Sequence, residues 1–147
     1  MSRYEISSDS GRLDAAAIHA YLTRSYWSPG IPLDSVERAL RNSLCFGVYE
    51  SSSGAQVGFA RVVTDYATFA YLCDVYVLEA HRGRGLAKWM MREVMAHPAL
   101  TGARRIMLAT RDAHGLYRHS GFAEVGQSRT LMEIVRPDIY LLGAGSG

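Results

Sequence analysis

Cysteine is scarce in this 147-residue chain, and the two present, Cys45 and Cys73, show no paired spacing of the kind that holds a metal. Both lie in apolar, strand-like surroundings that suit buried reduced thiols, so neither a disulfide nor a metal centre is expected. No apolar run approaches the roughly 18–20 residues that span a bilayer. The first residues, Met1 to Ser7, lack the apolar stretch of a signal peptide. A soluble, cytoplasmic protein with no membrane partner is the expectation. A formal net charge of +2 falls short of the strongly basic face of nucleic-acid binders. Two phosphate-binding patterns are missing as well. Gly-Lys-Ser/Thr occurs nowhere, which excludes a P-loop, and Lys88 stands three after Gly85, where a dinucleotide fingerprint needs glycine.

What is present predicts one domain. The chain has the common domain length, and 48% hydrophobic residues are enough for a core. A strand-like alternation near Tyr4 precedes a helix over Leu13–Leu22, where Leu13, Ala16, Ala17, Ala20 and Tyr21 share a face. The turn Ser25–Pro32 cannot continue that helix through two prolines, and a second helix runs from Leu33 or Asp34 to about Asn42. Strands are predicted near Leu44–Tyr49, Gln56–Val63 and Phe69–Val77, then a helix from Leu86 to about Ala96 with Pro98 marking its stop. A strand from Arg105 to Thr110, a short helix around Tyr117, and two last strands near 122–126 and 130–135 complete the order. The domain is expected over residues 1–140, with 141–147 as a flexible tail of small residues.

Between the third of these strands and the helix at Leu86 stands Arg82-Gly83-Arg84-Gly85-Leu86-Ala87. Gly83 and Gly85 carry no Cβ, so the turn can expose several backbone N–H groups beside the free N–H groups of the following helix. Such a junction suits a pyrophosphate, although an ordinary exposed turn would read the same way. Lys88 and Arg92 add local positive charge or form a solvated helix face.

The turn resembles the acyl-CoA-binding motif of the GNAT N-acetyltransferase superfamily, Arg or Gln, two residues, Gly, one residue, Gly or Ala, which Arg82, Gly85 and Ala87 satisfy. A second match strengthens the resemblance. Ala113-His114-Gly115-Leu116-Tyr117-Arg118-His119-Ser120-Gly121-Phe122 fits the family's later pattern of Ala, two residues, Leu-Tyr, three residues, Gly-Phe. It reads as a short helix with Asp112 as N-cap, Leu116 toward the core and Gly121 past its end. The resemblance extends over residues 3–135, with its diagnostic motifs between 74 and 122. It implies an α/β (α+β) fold, β-α-α-β-β-β-α-β-α-β-β, with a mixed sheet of about seven strands flanked by about four helices.

By the same resemblance the chain is an N-acetyltransferase that moves the acetyl group of acetyl-CoA, its co-substrate, directly to a primary amine. The main chain of Val75, Tyr76 and Val77 and the N–H groups of Arg82, Gly83, Arg84, Gly85, Leu86 and Ala87 then hold the cofactor. Tyr117 protonates the departing thiolate, and a phenol with a pKa of about 10 carries the proton that this needs. The N–H of Val77 meets the oxyanion. Thr110 replaces the family's usual Asn, keeping a hydroxyl that donates and accepts.

The general base stays open among Asp74, Glu79, His81 and a water chain, with Asp74 first and Glu79 second. Asp74 shares a strand face with Tyr76, and Val75 and Val77 share the other. His114 and His119 are read as exposed. For the acceptor, Tyr26 and Trp27 in the turn between the first helices could stack on an aromatic group, hold a cation or pack as a lid. Asp65 and Asp74 would suit a cationic amine. Small-molecule, peptide and protein amines all fit. A non-catalytic acyl-CoA sensor or interaction module on the same fold is the alternative. Family members often pair through the final strands, so a homodimer is a further expectation, although charge can also protect such an edge.

Overall fold

The computed structural model describes residues 3–143. Its centre is a five-stranded sheet in chain order: β1 (Tyr4–Ser7), β2 (Leu44–Glu50), β3 (Gln56–Thr64), β4 (Phe69–Val77) and β5 (Arg105–Leu108). The first four are antiparallel neighbours, and β5 joins β4 in parallel. Helices α1 (Ala15–Leu22) and α2 (Leu33–Arg41) lie between β1 and β2, α3 (Leu86–Ala96) and α4 (Pro98–Thr101) between β4 and β5, and α5 (His114–His119) and α6 (Ile139–Gly143) follow.

Two apolar layers sandwich the sheet. Strand alternation sends Cys45, Phe59 and Tyr76 to one face, where they meet Ile18, Leu22, Ile31 and Val36 from the α1–α2 region. Phe46, Ala60, Val62, Ala70, Leu72 and Val77 face the other side, against Leu86, Met90, Met91 and Val94 of α3 and Leu100 of α4. With helices on both faces, β2 and most of β3 are buried throughout, which is why they read as continuous apolar runs. Asp14 caps α1 by accepting the Ala17 N–H at 3.0 Å, ahead of three alanines of high helix propensity. Pro98 stops α3 as expected but also opens α4, with His97 Nδ1 accepting the Ala99 N–H.

The fold class agrees with expectation, and the strand count is lower. Residues 122–126 and 130–135 form no strands; one 3₁₀ turn, Ser128–Thr130, interrupts an irregular path. Alternation alone does not make a strand without an edge to bond and a face to bury. Here Met132, Ile134 and Val135 are 96%, 83% and 61% exposed. The chain instead travels to α6, where Tyr140 packs on the α1–α2 cluster and Leu141 approaches Gly30. Part of the expected tail is therefore helical, and residues 144–147 lie outside the described residues.

Gly58 on β3 pairs with Val77 of β4. A Cβ there would stand 2.9 Å from Val48 Cγ2 and 3.2 Å from the Tyr76 carbonyl oxygen. Gly58→Ala is expected to lower unfolding free energy by about 1–3 kcal/mol in a urea titration, since neither a branched side chain nor a strand carbonyl yields easily.

Candidate active site

Strands β4 and β5 share only four register pairs, Phe69–Leu72 with Arg105–Leu108. Beyond them β5 ends and β4 continues for five residues, so the two part and a cleft opens between Cys73–Val77 and Leu108–Ala113. Its cavity volume is about 1130 Å³, enough for an extended arm and a second small molecule. The cleft side of β4 offers backbone groups. Leu78 N–H turns the other way, to the Val57 carbonyl at 2.8 Å, and successive amides of a strand alternate in direction. Val77 thus aims its N–H and C=O away from β3, and its carbonyl accepts Arg82 Nε at 2.8 Å.

At the end of this edge lies the glycine turn. Gly83 and Gly85 have φ of 77° and 76°, in the left-handed region, and nothing stands within 4 Å of where either Cβ would be. Among the described residues, no acceptor takes the N–H groups of residues 83–87, and α3 starts at Leu86 without a side-chain cap. Oriented free N–H groups beside a helix N-terminus and two arginines form a fitting seat for a pyrophosphate. Leu86 itself is buried in the core, so its part in such a seat is through its backbone.

Tyr117 reaches the opposite wall from α5. The helix begins after Ala113 with no side-chain cap, so the expected Asp112 does not cap it, and the Thr110 hydroxyl accepts the Ala113 N–H at 3.0 Å in the approach to it. Asp112 is left exposed on the cleft. Tyr117 is 8% exposed, and burial, then the neighbouring Tyr26 and Asp112, raise its pKa. Its proton is retained at neutral pH.

Asp74 lines the cleft in a way the sequence did not indicate. The β3–β4 register shifts between Phe59 and Arg61, a bulge that puts Asp74 at φ 55°. One carboxylate oxygen accepts Trp27 Nε1 and the other accepts Arg61 Nε, both at 2.8 Å. Arg61 also donates to Ser43 Oγ at 3.1 Å. Glu79 is exposed in the turn Glu79–His81, away from the cleft walls, and His81 Nδ1 is 2.9 Å from the Tyr4 hydroxyl. Asp65 is also elsewhere, accepting the N–H groups of Ala67, Thr68 and Phe69 in the β3–β4 turn.

The segment between α1 and α2 forms the remaining wall. Ser25 Oγ donates to the Leu22 carbonyl and accepts the Ser28 N–H, and Gly30 N–H closes the loop onto Thr23. An aromatic ladder results. Tyr76 stacks on Tyr21 at 3.9 Å, Tyr21 leans on Trp27, and Trp27 meets Tyr26 edge-on at 5.0 Å. Arg111, from the far side of the cleft, lies 3.8 Å over the Tyr26 ring. Tyr76 therefore points its ring into the α1–α2 layer, while its N–H and C=O turn toward β3. Tyr21, Arg24, Arg111 and Asp112 are cleft residues that sequence reading passed over, because no local pattern marks a ladder between segments distant in sequence. Cys73 lines the cleft with a thiol that burial pushes up to about 11, so it is a weak nucleophile at neutral pH.

The description acetyltransferase (GNAT) family matches residues 13–122. A candidate acetyltransferase of Gibberella zeae is 36% identical over 135 residues, covering 78% of this chain and 75% of that protein. The crystal structure of a candidate GNAT-family acetyltransferase from Xanthomonas campestris is 50% identical, covering 95% of this chain and 98% of that one at a TM-score of 0.90. A candidate acetyltransferase of Clostridium acetobutylicum, solved with acetyl-CoA, is similar in fold at 16% identity and a TM-score of 0.65, over 92% of this chain and 96% of that one.

Asp74→Ala is expected to cost about 3 kcal/mol in urea unfolding, because it strands the Arg61 guanidinium and forces Ala into the left-handed region. It should also shift Trp27 emission in a Trp89→Phe background. Asp74→Asn, which tolerates that backbone and can still accept from Trp27, should leave the emission in place.

Proposed function

The chain belongs to the acetyltransferase (GNAT) family, and on that premise we propose that it is an acetyl-CoA-dependent N-acetyltransferase of the cytoplasm, acting on a primary amine. The observation that carries this reading is the unpaired β4 edge running into the open glycine turn, with Tyr117 facing it across the cleft. Acetyl-CoA supplies the activated acetyl group. The amide-rich arm of that molecule fits the β4 edge at Val75, Tyr76 and Val77, meeting the outward backbone of Val75 and Val77 while the Tyr76 N–H and C=O turn to β3, and its pyrophosphate fits the N–H groups of Arg82 to Ala87. Thr110 stands on the opposite wall with a hydroxyl able to donate.

Direct attack forms the C–N bond as the C–S bond breaks. The Val77 N–H, aimed away from β3, is the donor for negative charge developing on the acetyl oxygen. Tyr117 gives its proton to the leaving sulfur. Asp74 has both oxygens engaged and acts as a positioning residue that holds Trp27 on the cleft. With Glu79 off the cleft walls, the proton of the amine leaves through water.

Two copies of the chain are further proposed to pair through the exposed apolar stripe Met132, Ile134 and Val135, self-complementary about a two-fold axis. Sedimentation should give a dimer that Met132→Asp with Ile134→Asp converts to monomer. A wild-type monomer across the micromolar range would sink the pairing.

Acetyl-CoA is expected to raise the thermal unfolding midpoint where NAD does not, since only a native-state ligand does so. Tyr117→Phe should keep that rise and lower kcat about 100-fold. Because burial raises the Tyr117 pKa above the ordinary phenol value of about 10, its contribution to kcat is held through neutral pH and lost only as pH climbs past 10. A midpoint rise with no CoA release from any amine would favour the non-catalytic acyl-CoA-binding module, and no rise would remove the transferase reading.

A further inference from the structure

The acidic groups that sequence alone offered to a cationic acceptor are taken. Asp65 caps a remote turn, and Asp74 is neutralised by Arg61. What remains at the acceptor end of the cleft is Arg24, Arg111 and Asp112. Arg82 is already engaged, its Nε donating to the Val77 carbonyl at 2.8 Å and its terminal amino group to the Tyr21 hydroxyl at 3.4 Å. Among the described residues neither Arg24 nor Arg111 makes an ion pair. Arg24 spends its Nε on the Ala20 carbonyl at 2.7 Å, which fixes the side chain and leaves its terminal amino groups open. Arg111 uses only the flat face of its guanidinium on Tyr26, so its N–H groups, which lie in the plane, still project from the edge.

We propose that the acceptor is a small primary amine that also bears an anionic group, a carboxylate or a phosphate, recognised by Arg111 together with Arg24; this rests on the acetyl-transfer reading above. The planar fork of arginine matches both anions, forming paired charge-assisted hydrogen bonds. Tyr26 cannot stack on a cationic substrate from the face that Arg111 occupies. Two guanidinia against the single carboxylate of Asp112 disfavour a polyamine and suit a molecule with one ammonium and one anion. Tyr26, Arg111 and Tyr117 line the same cleft, so an anion held by Arg111 sets the placement of the amine within it.

The test is CoA release with matched acceptors, alanine against alaninamide and 2-aminoethanol against its phosphate monoester, with putrescine as a diamine. Rates are corrected for the free-base fraction of each amine. The preferred anionic member should exceed its neutral partner by roughly tenfold or more in kcat/KM, and the two pairs separate a carboxylate from a phosphate preference. Arg111→Ala should collapse that ratio toward one, mainly through acceptor KM, while Arg111→Lys keeps part of it. The midpoint rise and the KM for acetyl-CoA should stay unchanged in both variants. Equal or better use of neutral amines or putrescine overturns the inference while leaving the transferase reading intact. A loss of acetyl-CoA affinity in Arg111→Ala also overturns it, since Arg111 would then serve the cofactor. No CoA release from any of the five amines, with acetyl-CoA still bound, overturns it along with the transfer reading.

Discussion

Everything that distinguishes this molecule from an ordinary layered domain follows from where β5 stops. Four residues of parallel pairing hold it to β4, and then β4 goes on alone from Cys73 to Val77. A strand edge left open inside a fold is costly unless something bonds to it, because buried amides and carbonyls need partners. Here the opening lies between two covered faces, with α1 and α2 on one side and α3 on the other, so access is confined to one cleft. The side chains of Val75 and Val77 meanwhile pack against the α3 core. There the side chains do the packing, and hydrogen-bonding capacity is left to the backbone.

Asp74 shows how the same strand is kept in shape. A bulge and a left-handed residue in mid-strand carry a cost of order 1–3 kcal/mol, which persists only where surrounding contacts overrule it. Those contacts are Arg61 on the neighbouring strand and Trp27 on the α1–α2 loop. The Arg61–Asp74 pair is largely buried, with side chains 21% and 9% exposed, and buried pairs contribute more to geometry than to net stability. The result is that one carboxylate joins the bulge, the sheet and the loop. Both of its oxygens are engaged in that work.

The fold was legible through β5 because each element carried its own local signal: Asp14 before an alanine run, two prolines after Trp27, apolar runs on strands buried on both sides. The glycine turn and Tyr117 were legible for the same reason, being contiguous motifs. Residues 122–135 failed because period-two alternation records which side chains are apolar and not whether an edge awaits them. Asp112 does not cap α5, because the helix starts one residue later than expected, after an Ala113 that no side chain caps. Arg24, Arg111 and the Tyr21–Trp27–Tyr26 ladder left no trace in local sequence, since each contact joins segments that come together only on folding. Asp65 and Asp74 show the converse. A carboxylate in sequence is a free charge, and in the fold both are consumed by neighbours.

The distribution of charge along the cleft sets cationic groups around a buried phenol, Tyr117, that keeps its proton at neutral pH. Cationic groups stand at both ends, Arg82 and Arg84 at the glycine turn and Arg24 and Arg111 at the loop. Exposed charges of this kind are screened over about 8–10 Å at physiological salt, so each end acts on what touches it more than on the middle. Tyr117 lies between them, packed against Phe122 and the α3 core, where desolvation is the largest influence on its hydroxyl and opposes ionisation. Cations close enough to dominate would lower that pKa and make the phenol a more acidic but less reliably protonated group. The causes that shift the Tyr117 hydroxyl are burial, Tyr26 and Asp112, all of which raise its pKa, so the proton stays on the phenol.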